Sequence, residues 1–232
     1  MHHLSPRVRP LLLASLAFLA VACSSSNHLE DYNFDETTAA VVAAIPPRPA
    51  IFSDNAFWID RDRPWATALR LGTAIYKERE AYRAGKRMDE ALDQIDVAER
   101  IARQSLLQTS RYLGYRPVNN PRRADYILDI KVHDYGLTAD SWDGAVHFFL
   151  DADVYLIDPT EDRVIWKYDV HEHEPVEHGI FGIGGSGGNV LSARALSTLS
   201  TEEMAEGFAR LADFSADQIT RVLREDYYDS RN

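Results

Sequence analysis

A histidine-rich run and a single cysteine are the features of this 232-residue chain whose type and spacing invite chemistry. His171-Glu172-His173-Glu174-Pro175-Val176-Glu177-His178 is dense in nitrogen and oxygen donors. On an extended strand, residues two apart share a face, so His171 and His173 point the same way. A symmetrical turn ahead of that strand would bring His147 opposite His173. Three imidazoles, with Glu177 or His178 nearby, make a donor set for zinc, copper or nickel. The run lacks the helical zinc-protease spacing, in which histidines stand four apart, and Pro175 opposes a helix. Gly182 to Gly187 spells GxGxxG. A dinucleotide site needs those letters between a strand and an immediately following helix, and here about a dozen residues precede the next helical pattern. No lysine follows to make a phosphate loop, and no serine stands in GxSxG. The sequence therefore predicts no nucleotide site and no catalytic residue. Cys23, being the sole cysteine, excludes a disulfide within one chain.

Cys23 also stands in a telling place. Arg7 and Arg9 precede an apolar run from Leu11 to Ala22, interrupted only by Ser15, and the run closes on Leu19-Ala20-Val21-Ala22-Cys23. A basic start, a short apolar core and small residues before a cut are the marks of a secretory signal. The run is shorter than the roughly 20 residues a bilayer span needs. With a cysteine directly after the small residues, the segment resembles the lipobox of a bacterial lipoprotein. That resemblance implies a signal peptide over 1–22, cleavage before Cys23, and lipidation of its sulfur and new amino group. Ser24, rather than aspartate, after the cysteine implies the outer membrane, facing the periplasm. Cleavage would remove two arginines and move the formal charge from −11 to −13. So acidic a chain is a poor electrostatic partner for nucleic acid or anionic lipid.

The elements that must position these residues follow from hydropathy. Residues 23–38 are polar and serine-led and predict a flexible tether. A single α/β domain is expected over 39–226, opening with an apolar strand at Ala39–Ile45 that Pro46-Pro47 stops. Apolar residues at three- and four-residue steps predict helices over 65–82 and 88–113, with a break or kink at Ala84-Gly85 and a stop at Gly114. Three runs then alternate with period two: 126–133, 146–157 and 163–171. Their even positions are apolar. They predict an antiparallel meander with one face on helices and one face wet, joined between its last two strands by Asp158-Pro159-Thr160-Glu161-Asp162. A symmetrical turn would set Lys167 beside Asp153. Residues 179–199 hold six glycines and predict a mobile loop, and Ile180, Phe181 and Ile183 make it apolar enough to dock on a partner or on lipid. Ser200-Thr201-Glu202-Glu203 is a capping box opening a final helix, with a frayed tail at 227–232.

Ala124-Asp125-Tyr126-Ile-Leu-Asp-Ile-Lys-Val132, then Asp151-Ala-Asp-Val-Tyr-Leu-Ile-Asp158, then Arg163-Val-Ile-Trp166, between a long helix and a closing one, form a second resemblance. Over about residues 95–225 the order is similar to that of envelope accessory lipoproteins, such as the auxiliary lipoproteins of lipid-transport ABC systems and the curli-secretion lipoproteins. It implies a small α/β accessory domain, a largely antiparallel sheet with helices on one face, binding other envelope proteins or lipid. The expectation is a non-enzymatic membrane-anchored protein serving transport, secretion or cell-wall assembly, without a cofactor beyond its lipid. Two alternatives stand beside it: a periplasmic zinc- or copper-binding protein using His147, His171 and His173, and a lipid carrier with an apolar cavity between helices and sheet.

Overall fold

The computed structural model describes residues 27–53, 57–58, 75–141, 143–182 and 190–231. The chain has an α/β fold, a mixed sheet with helices on one face. Its frame is an antiparallel meander of three long strands, β5 (Tyr126–Ala139), β6 (Val146–Asp158) and β7 (Arg163–Pro175). Strand β1 (Thr38–Ala44) and strand β2 (Ala50–Ser53) lie end to end along the other edge of β5, both parallel to it. Two short strands complete the sheet: β3 (Phe57–Trp58) against β2, and β4 (Arg116–Pro117) against β1.

The handover from β1 to β2 coincides with a bulge. His133 is an extra residue in β5, so Val132 faces Ala152 while Asp134 faces Asp151. An inserted residue reverses the facing of everything after it. Beyond His133 the inward positions are therefore Tyr135, Leu137 and Ala139, which are buried. Strand β5 thus runs six residues past the expected alternation. Pro46 and Pro47 carry the chain out of β1, and the Tyr135 hydroxyl donates to the Pro46 carbonyl at 3.0 Å. At Gly136 the β2 backbone comes so close that an added Cβ would lie 1.6 Å from the Ala50 carbonyl oxygen.

Helices α2 (Val97–Leu113) and α4 (Thr201–Asp229) lie against the inner face, α1 (Ile75–Leu92) packs on α4, and a single turn, α3 (Ala193–Ser197), precedes the last helix. The break between α1 and α2 falls at Asp93–Asp96 and not at Ala84-Gly85. Asp96 caps α2 by accepting from the Glu99 N–H at 2.8 Å, whereas Gly85 sits inside α1. Arg48 pairs with Asp89 and Asp93 at the end of α1, fixing that corner to the β1–β2 connection. Gly114 ends α2 in the left-handed conformation, as expected. Ser200 and Glu203 form the predicted capping box of α4. The stretch of the first expected helix over 65–74 lies outside the described residues. Trp166, Phe148, Phe208, Leu211, Ile219 and Leu223 fill the space between sheet and helices.

Three expected boundaries are corrected. Residues 27–38 are not a free tether: Leu29 and Phe34 are fully buried, and the His28 N–H donates to the Ile165 carbonyl at 2.9 Å. These two apolar side chains in a polar stretch suffice to draw it into the core. The tail at 227–232 is not frayed at its start. Helix α4 continues to Asp229, where Tyr227 packs edge-on against Phe34, 6.1 Å between ring centroids. The flanks of the 179–199 loop are ordered too. His178–Phe181 forms a 3-10 turn, Glu177 bridges to Val190, and α3 follows.

Candidate interaction face

Strands β5, β6 and β7 turn one face to the helices; among the described residues, no helix covers the other. Register sets its rows across β5–β6–β7: Ile127–Ile157–Val164, then Asp129–Tyr155–Lys167, then Lys131–Asp153–Asp169, then Asp134–Asp151–His171, then Gly136–Phe149–His173. His147 lies beyond, opposite Pro175. The face is therefore apolar at one end, charged in the middle and aromatic at the other. Asp151, His171, His173 and Phe149 outline a shallow, open depression near the aromatic end.

The charged side chains in the middle are engaged with one another. Lys131 meets Asp129 at 3.4 Å and Lys167 meets Asp169 at 3.3 Å. Both ammonium groups also lie over the Tyr155 ring, 5.1 and 5.6 Å from its centroid. His133 stands 3.2 Å from Asp153, and His171 is 3.0 Å from Asp151. Such exposed pairs contribute little stability each, but they order the face. Hydrogen bonding to Asp169 holds the Lys167 ammonium above its usual range.

The three expected metal ligands are only partly brought together. His147 and His173 stack, 5.0 Å between centroids and 15° between planes. Yet His173 is paired in register with Phe149, and Lys167 lies opposite Tyr155 rather than Asp153. The turn is not symmetrical about Thr160: Asp158 pairs with Arg163, and a bulge at Ile165 moves the register by a further residue. That bulge also turns Val164 outward and buries Ile165 beside Trp166, against the expected alternation. His171 turns to Asp151. Among the described residues, no group of three or more histidine, cysteine, aspartate or glutamate side chains is placed to hold a metal ion.

The expected docking residues divide differently. Phe181 is buried, its ring edge-on to Phe208 at 5.9 Å, so it is a core residue and not a docking one. Its seat is made by Gly207 in α4, where an added Cβ would come within 1.9 Å of the Phe181 ring. Ile180 is half-buried against the core, and Arg210 donates to its carbonyl. Cys23 and Ile183 lie outside the described residues, as does the GxGxxG stretch beyond Gly182. Sequence reasoning missed Gly207, Arg210 and His133. Glycine in a helix interior carries a cost near 1 kcal/mol and so signals close packing. Arg210 and His133 give no such signal, because a helical arginine and a strand histidine read as ordinary surface.

At the opposite end of the sheet, Asp125 joins β1 to β5. Its carboxylate accepts from the Thr38 N–H at 2.8 Å and the Thr38 hydroxyl at 2.7 Å. Those two hydrogen bonds, the hydroxyl's first, hold the carboxyl below its ordinary range.

No protein-family model matches the chain, and no curated protein matches it. Among solved structures, it is similar to protein XCC0632 from Xanthomonas campestris, of family DUF330, at a TM-score of 0.36 and 12% identity, covering 82% of this chain and 90% of that one. It is similar to a PelC dodecamer subunit from Paraburkholderia phytofirmans, at 0.26 and 13%, covering 78% and 89%. A third similarity is to lipoprotein GNA1162 from Neisseria meningitidis, at 0.22 and 16%, covering 62% and 89%. A lipoprotein is thus among the similar structures, but at these scores the likenesses carry no inference about function. Among the described residues, no helix is long and apolar enough to cross a membrane.

Proposed function

We propose that this chain is a non-enzymatic accessory lipoprotein of the cell envelope. It is held to a membrane through Cys23 and acts by contact with other envelope components in transport, secretion or cell-wall assembly. The observation that carries the reading is the sequence Leu19-Ala20-Val21-Ala22-Cys23 placed four residues ahead of Asn27, where the described fold begins. A signal-like segment ending in the sole cysteine suits lipid attachment. Several acyl chains, each methylene contributing about 0.8 kcal/mol, hold a protein where one chain would not. Ser24 favours the outer membrane. Action by contact is supported by the strand face turned away from the helices, with the apolar row Ile127–Ile157–Val164 at one end and Phe149 beside His173 at the other. The test is membrane flotation of the wild-type chain and of Cys23→Ser from a bacterial host. The wild type floats with membrane vesicles and survives a high-salt wash, and Cys23→Ser stays in the soluble fraction. Equal flotation of both forms refutes the reading.

A further inference from the structure

From the geometry of the chain's start, we infer that one particular end of the domain rests against the lipid headgroups. The inference rests on the anchoring of Cys23 proposed above. Asn27 follows Cys23 by four residues. A chain advances at most about 3.6 Å per residue, so Asn27 lies within roughly 14 Å of the lipidated residue whatever path intervenes. A span that short keeps residues 27–32 close to the membrane surface, and the end holding them is the end presented to the bilayer.

That end is well defined. His28 is bonded to Ile165 near the start of β7. The Tyr32 hydroxyl donates to Glu161, in the β6–β7 turn, at 3.4 Å. Arg231, just past α4, donates to the Tyr32 carbonyl at 2.6 Å. The first described residues, the β6–β7 turn and the end of α4 thus form one rim. Its exposed chemistry suits a bilayer interface. Tyr228 is 53% exposed and Val164 36%. The apolar row Ile127–Ile157–Val164 closes the open face on this side. The Arg163 guanidinium lies 5.9 Å from the Tyr32 ring centroid, and that of Arg231 lies 5.2 Å from that of Tyr227. Tyrosine and arginine pair an apolar body with a polar tip, as the headgroup layer favours. Glu30, Asp31, Asp35 and Glu36 are exposed on the same end. Arg116, Arg122, Arg123, Arg163 and Arg231 are exposed there too, but Asp125, Glu161 and Asp162 keep the acidic groups in excess, which disfavours anionic lipid and favours a zwitterionic surface.

The sheet then stands away from the membrane. Strand β6 has 13 residues and spans about 40 Å at roughly 3.4 Å per residue. The His147–His173 stack and the bridge between Glu177 and Val190 occupy the far end, where a partner reaching in from the periplasm would meet them.

Lipidation consumes the thiol of Cys23, so an introduced cysteine can be labelled alone. The full lipidated chain carrying Asp229→Cys or Glu177→Cys is labelled with a fluorophore. It is then reconstituted into phosphatidylethanolamine–phosphatidylcholine vesicles containing a lipid with a nitroxide-bearing headgroup. The label at 229 is expected to be quenched several-fold more than the label at 177. Replacing Tyr228 and Val164 by serine, or adding phosphatidylglycerol, reduces that difference. Equal quenching at the two sites, or stronger quenching at 177, overturns the orientation while leaving anchoring intact. Failure of the wild-type chain to stay on the vesicles overturns both.

Discussion

Gly207 shows how much a single position can decide. It lies inside α4, and the Phe181 ring fills the space a side chain would need. Gly207→Ala forces either the ring or the helix to move, and overpacking of this kind costs about 1–3 kcal/mol. Urea unfolding should show that loss for Gly207→Ala and a comparable one for Gly136→Ala, where the Ala50 carbonyl stands in the way. An unchanged midpoint in either variant contradicts the packing described. The histidines lead to a different prediction. His147 faces His173 ring to ring, and His171 is turned to Asp151. Calorimetric titration with zinc or copper should show no stoichiometric tight site. A one-to-one site abolished by His171→Ala would restore the metal-binding alternative. His171 and His173 were readable as neighbours on one strand face, because period-two spacing needs no partner strand. The placing of His147 was not, since it depended on a turn and a bulge whose extra residues leave no mark in local hydropathy.

At the scale of elements, the meander was the most legible part of the chain. Val146 to Ile157 alternates without interruption, and β6 follows it almost residue for residue. Strand β5 was only half legible: His133 bulges out, the parity of apolar residues changes, and the continuation over Tyr135–Ala139 looks like an irregular segment. The capping box of α4 was legible because it is local, and Ser200→Ala should lower stability by about 1 kcal/mol, measured by thermal unfolding. The α1–α2 break was misplaced because Gly85 resembles a helix stop, while the cap at Asp96 acts through a hydrogen bond that composition does not reveal. The Asp125–Thr38 clamp predicts a pH dependence. Its carboxyl is held down in the folded chain, so its contribution is present above the ordinary carboxylate range and is lost as pH falls through the lowered folded value. Asp125→Asn should be less stable than wild type at neutral pH, and the gap should narrow towards about pH 3. A gap that is constant, or that widens in acid, contradicts the clamp.

For the whole molecule, the decisive relation is between the signal-like segment and the first packed residues. Composition made 23–38 look like a tether, because serine and acidic residues dominate it. Leu29 and Phe34 tie residues 27–38 to the core, so packed chain reaches to within a few residues of Cys23. The parallel entry of β1 and β2 was beyond the sequence for a related reason: pairing between distant segments depends on the folded whole. An anchored domain with a rim against lipid and an open face held outward can work by presenting that face to neighbours. All of this depends on Cys23. Intact-mass spectrometry of the chain purified from membranes in detergent tests it most directly. The account predicts a polypeptide beginning at Cys23 with covalent acyl chains on that residue. A chain that retains Met1, or one cut elsewhere with an unmodified Cys23 thiol, would contradict it.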